Sequence, residues 1–120
     1  MKRFIKYIII VTYLLGMVAY AQSARIFILS ADEWAQPRTG EVMASFNSVR
    51  NAVDYWQKTY NSSLLIRYPG EDMGELWASE LKDWLIALGV PNDYIILRSG
   101  LESLDQVQIV VGTKDDLNRL

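Results

Sequence analysis

The chain contains no cysteine and no histidine. Without cysteine there is no disulfide framework, no thiol nucleophile, no Cys-ligated metal and no cysteine for lipid attachment. Without histidine there is no Ser-His-Asp triad, no imidazole base and no His-rich metal site. Glycine and proline are sparse, seven and three in 120 residues, and no Pro/Gly/Ser-rich linker divides the chain. A length of 120 residues fits one domain. What is abundant is apolar: hydrophobic residues make up 51% and aromatics 12%, a composition for a packed core rather than disorder.

The N-terminus reads as an export signal. Lys2, Arg3 and Lys6 form a basic start, Tyr7 to Ala21 is uncharged, and Ala19-Tyr20-Ala21 is a small-x-small cleavage site. The uncharged stretch of about 15 residues falls short of the ~20 that a spanning helix needs. Cleavage after Ala21 is expected to leave a periplasmic or secreted chain; the other reading is a segment retained as a membrane anchor, as in a signal-anchored subunit of a secretion or conjugation apparatus. Of the 12 bases, these three lie in the signal, whereas all 14 acids follow it, so the exported chain carries nine bases, 14 acids and a net charge of −5. That sign argues against nucleic acid or an anionic bilayer as partner.

Four strands and two helices are legible. Ile26-Phe27-Ile28-Leu29 is a short apolar run. A loop from Ser30 to Gly40 follows. Val42, Phe46, Val49, Val53, Trp56 and Tyr60 then recur at spacings of three and four, one helical stripe over about five turns, with Thr39 as N-cap and Asn61-Ser62 as its end. Leu64-Leu65-Ile66-Arg67-Tyr68 is a second strand, closed by Pro69-Gly70. Asp72 is expected to cap a second helix, with Glu75 completing an acidic capping box. Its apolar face is Leu76/Trp77, Leu81, Trp84/Leu85 and Leu88, and Gly89-Val90-Pro91 ends it. Tyr94 to Leu97 and Gln108 to Val111 are the last strands, and Thr113 to Leu120 is expected to fray. The order β-α-β-α-β-β, with one apolar stripe per helix, predicts an α+β two-layer sandwich with both helices on one face of a small mixed sheet. The resulting division is a signal peptide over 1–21, a domain over 22–112 and a charged tail over 113–120.

This order and several local motifs resemble the OmpA C-terminal-like domain of bacterial envelope proteins, over roughly Ile26 to Val111. The best segment is Ala78 to Ile95, similar to that family's R-A-x-x-V-x-x-Y-L-x-x-x-G-[IV]-P pattern: Ala78 matches the Ala, Trp84 the aromatic, Leu85 the Leu, and Gly89-Val90-Pro91 the G-[IV]-P. Phe27, Pro37 and Gly40 sit as the family's F…P-x-G does. The resemblance implies a non-catalytic binding or scaffold role in the cell envelope, with peptidoglycan or an envelope protein as partner. The family holds the peptidoglycan stem peptide with an Asp after the second strand and an Arg on the second helix. Here Trp77 occupies the Arg position, Pro69-Gly70-Glu71-Asp72 replaces the T-D, and the N-x-x-L-S segment is absent. Asp72 is the residue available to replace the Asp, and Arg67 the cation available to meet a carboxylate.

Two segments stand out as candidate binding sites. Arg67-Tyr68-Pro69-Gly70-Glu71-Asp72 puts a cation, an aromatic and two acids where a strand ends and a helix begins, a place where ligands collect; the plainer reading is a Pro-Gly turn and a capped helix. Trp34 lies in the Ser30–Arg38 loop, either covering the core edge or anchoring a partner. Trp56, Trp77 and Trp84 default to core packing, and Trp77, at the position of the family's Arg, is also carried as a ligand-binding candidate. No catalytic residue is assigned, since the acid pairs Asp32/Glu33, Glu71/Asp72 and Asp115/Asp116 are only neighbours in sequence, and a glycosidase needs two carboxyls about 5–10 Å apart across a cleft. No spaced D-x-D-x-D-G loop points to a metal, and no cofactor is implied.

Overall fold

The computed structural model describes residues 24–120. The export signal and its cleavage site lie outside the described residues. Four strands, β1 (Arg25–Ser30), β2 (Ser63–Tyr68), β3 (Ile95–Ser99) and β4 (Gln106–Gly112), form one sheet in the order β1-β4-β2-β3. The pair β2/β3 is parallel, whereas β4 runs antiparallel to both β1 and β2. Strands β1, β2 and β3 therefore point the same way, and their C-terminal ends share one end of the sheet. The expected α+β sandwich with a mixed sheet is the fold observed.

One face of the sheet is covered by helices α2 (Gly40–Ser45), α3 (Asn47–Lys58) and α4 (Asp72–Ala87). The core lies between them: Leu29, Leu64, Ile66, Val107, Ile109 and Val111 from the strands meet Met43, Phe46, Val49, Ala52, Ala78, Leu81 and Leu85 from the helical layer, all buried. In α4 the fully buried positions Gly74, Ala78, Leu81 and Leu85 follow spacings of four, three and four, so a single stripe faces the sheet.

The helix ends follow local chemistry. Thr39 caps α2, its Oγ1 accepting from the Val42 N–H at 3.2 Å. At the far end of α4, Gly89 has φ +108°, the left-handed conformation that favours glycine. Gly89 N–H donates to Ile86 O and Val90 N–H to Leu85 O, both at 3.0 Å, a Schellman closure that brings Val90 into the core.

Several expectations are corrected. The long helical stripe is two helices, because Phe46 takes an extended conformation (φ −65°, ψ 120°) between α2 and α3. Ser45, Asn47 and Ser48 surround this break, and such side chains compete with helical backbone bonds; Ser45 Oγ donates to Val42 O at 2.6 Å. Tyr60 lies beyond α3 and is 95% exposed. Leu76, assigned to the buried face of α4, is 66% exposed. Asp72 is not the cap: Glu71 holds the N-cap conformation, and no side chain caps that end. Tyr94 belongs to a 3₁₀ turn, Asn92–Tyr94, and β3 starts one residue later.

The loop after β1 begins with a one-turn helix, α1 (Ala31–Trp34), held by a capping box in which Ser30 Oγ accepts from Glu33 N–H at 3.2 Å and Ser30 N–H donates to Glu33 Oε1 at 3.3 Å. The end of the chain is ordered rather than frayed: α5 (Lys114–Asn118) is capped by Thr113 Oγ1. Its Leu117 is buried with Leu65 and Val110 against the sheet face that the other helices leave uncovered. A charged composition hid that helix, since one leucine suffices to dock a single turn.

Candidate functional site

A cleft of about 520 Å³ opens at the end of the sheet where β1 and β2 finish. Its walls are α1, which follows β1, and the first two turns of α4, which follows β2. Leu104, from the β3–β4 connection, closes the third side. Such ends of co-directional strands are where mixed and parallel sheets gather ligands.

The cleft is mainly apolar and aromatic. Trp34 on α1 and Trp77 on α4 stack with ring centroids 5.7 Å apart at 31°. Met73, Leu76 and Leu104 stand around them at 75%, 66% and 66% exposure, an apolar rim that a lone domain has no folding reason to show to water. Gly74 makes the α4 wall possible. A Cβ there would overlap the Pro69 carbonyl oxygen, so only glycine allows the first turn of α4 to press against the Pro69-Gly70 turn.

The cation lining the cleft among the described residues is Arg38, and two of its nitrogens have partners. Its Nη1 donates to Trp34 O at 2.8 Å, its guanidinium lies 4.8 Å from the Trp34 ring centroid, and its Nε forms an ion pair with Glu80 Oε2. Arg38 therefore caps the C-terminal end of α1, stacks on Trp34 and bridges to α4 at once. Both partners of the pair are about a third or more exposed, so its worth is orientation more than stability. Trp77 Nε1 is buried and has no hydrogen-bond partner among the described residues.

The sequence-derived candidates divide. Trp34, Trp77 and Glu71 line the cleft. Asp72 begins α4 with its side chain exposed and does not line it. Tyr68 packs half-buried against the main core. Arg67 goes elsewhere: Ile66 faces the helical layer, Arg67 alternates to the opposite face, and its Nη1 donates to Gln108 Oε1 at 3.3 Å. Arg67 and Asp72 are thus not brought together as a clamp. Arg38 and Glu80 were not anticipated. The Ser30-x-x-Glu33 capping signature was the available signal that α1 would fix Trp34 and the residues after it. Among the described residues no cluster of three or more acids could hold a metal ion, and no helix is long and apolar enough to cross a membrane.

This combination defines a class: a small α+β sandwich with a β1-β4-β2-β3 sheet and a cleft at the shared strand ends. No protein-family model and no characterised protein matches the chain by sequence. By structure the chain is similar to the periplasmic domain of Helicobacter pylori MotB, with a TM-score of 0.52 and 15% identity, covering 82% of this chain and 83% of that one. The likeness is one of fold, and it supports the OmpA C-terminal-like architecture that the A…WL…GVP segment suggested.

Proposed function

We propose that this chain is an exported, non-catalytic binding domain of the cell envelope, acting in the periplasm as an accessory or scaffold. It takes an apolar segment of an envelope protein into the Trp34/Trp77 cleft. The fold likeness to a periplasmic domain supports the compartment. The cleft itself carries the mode of binding. Where the resembled family places an arginine, this chain has Trp77, packed against a second indole, and the one cation lining the cleft among the described residues is committed to Glu80 and to the Trp34 carbonyl. An aromatic pair ringed by exposed Met73, Leu76 and Leu104 is suited to apolar anchors.

A photo-crosslinking side chain in place of Leu76 tests this in the envelope. The expected product is one discrete adduct that disappears when Trp34→Ala is added. Absence of any Trp34-dependent adduct sinks the proposal. The second reading, peptidoglycan as ligand, is favoured by the fold likeness and would use Arg38 released from Glu80 as the carboxylate partner. It predicts retention on purified sacculi that Arg38→Ala abolishes and Arg67→Ala leaves unchanged. Sustained hydrolysis of an envelope substrate, lost on changing one acid, would overturn both.

A further inference from the structure

The opposite end of the sheet carries a second recess, of about 490 Å³, and its chemistry differs in kind. It lies where α3 ends and β2 and β3 begin. Trp56, Tyr60 and Tyr94 supply three aromatic rings, and Gln57 and Asn61 supply two primary amides. Among the described residues no lining side chain is charged. We propose that this recess is a binding site for a neutral oligosaccharide.

The site is built rather than incidental. Trp56 and Tyr94 meet edge to face with centroids 5.6 Å apart at 61°. The Trp56 indole is fixed, its Nε1–H donating to Ser62 O at 3.0 Å. Ser62, 2% exposed, returns a bond from its Oγ to Thr59 O at 2.7 Å, so the turn between α3 and β2 is tied to the ring it supports. Asn61 sits at φ +55°, a conformation that asparagine tolerates better than most residues. On this braced turn Tyr60 projects 95% exposed, and Tyr94 is 44% exposed. Neither ring is needed to that extent by the core. Among the described residues no hydrogen bond engages the side-chain amide of Gln57 or Asn61.

Ligand class follows by matching groups. An anion finds no cation among the lining residues. A purely apolar ligand would bury two amides without partners, which is costly. A neutral sugar satisfies both kinds of group: its C–H faces lie on aromatic rings, and its hydroxyls pair with amides that donate and accept. Concave sites of this type combine aromatic walls with a few placed polar groups, and tyrosine and tryptophan give large contact area at low cost in side-chain freedom.

The test uses the protein as exported and three neutral probes: cellotetraose, maltotetraose and the β-1,4-linked tetramer of N-acetylglucosamine. An acidic tetragalacturonate and an uncharged apolar peptide serve as controls. The readout is the indole N–H resonance of Trp56 in a titration to about 10 mM, beyond the millimolar weak end of specific binding. At least one neutral sugar is expected to shift it saturably. Tyr60→Ala, at a site too exposed to affect folding, should weaken that binding about tenfold, the scale of one aromatic contact. Tyr60→Phe should keep the affinity, and Trp34→Ala should leave it unchanged, which separates this site from the cleft. No shift with any neutral sugar, a shift indifferent to Tyr60→Ala, or a response only to the acidic sugar or the peptide overturns the proposal.

Discussion

The two ends of the sheet are made from the same strands yet present opposite chemistry. Where β1 and β2 finish, the cleft is apolar, and its charged residues are Glu71 and the Arg38/Glu80 pair. Where β2 and β3 start, the recess is neutral and polar, with rings and amides but no ions. The cleft is held open by packing: a glycine, a one-turn helix and an ion pair. The recess is held by hydrogen bonds within one turn. A single scaffold can thus offer two recognition modes, because strand ends on opposite edges of a sheet do not share side chains.

The strongest way to break this contrast is Gly74→Ala. The added methyl meets the Pro69 carbonyl, so the first turn of α4 must move. A loss of about 2–3 kcal/mol, as for an overpacked core, is expected in denaturant melts, together with loss of the cleft adduct. The neutral recess should keep its Trp56 indole resonance. If both ends respond alike, they are not independent.

Ser30→Ala comes next. Removing the capping hydroxyl of α1 should cost about 1 kcal/mol and loosen Trp34, read as a broadened Trp34 indole signal. Trp56→Phe acts on the other end. It deletes the bond to Ser62 O, for a loss of about 1 kcal/mol with the cleft undisturbed. The smallest effect is expected of Arg38→Ala. With both partners substantially exposed, stability should fall by at most about 1 kcal/mol. Partner binding in the cleft should be nearly independent of salt between about 0.05 and 0.5 M, because its cation is already paired. A steep salt dependence would instead show that Arg38 serves the ligand.

The sequence disclosed the scaffold better than the sites. Strands announced themselves as apolar runs, and Gly89-Val90-Pro91 marked the end of α4 because only a left-handed residue closes that helix. The face taken by Arg67 was illegible for a physical reason. Leu64, Leu65 and Ile66 are all buried, on alternate faces, so the strand shows no polar-apolar alternation from which the next residue's side could be read. The Arg38/Glu80 pair joins residues far apart in sequence, and neither carries a local signal for the other. Phe46 satisfied the helical period perfectly and yet broke the helix, since periodicity reports which side chains are buried and not whether the backbone between them is continuous. Leu117, in a short charged tail, was too sparse a signal to announce a helix.

Among the described residues strand β4 is the last strand in sequence but lies second in the sheet, and it is the sole neighbour of β1. The first strand made must therefore wait for the last. A chain delivered N-terminus first cannot complete its sheet until residues 106–112 have arrived, and the final helix must follow before Leu65 and Val110 are covered. The connectivity works as a timer: until the end of the chain is through, the pairings available are local or partial. A chain stopped before residue 106 is left with β1 unpaired and the apolar faces of β1 and β2 without their partner strand.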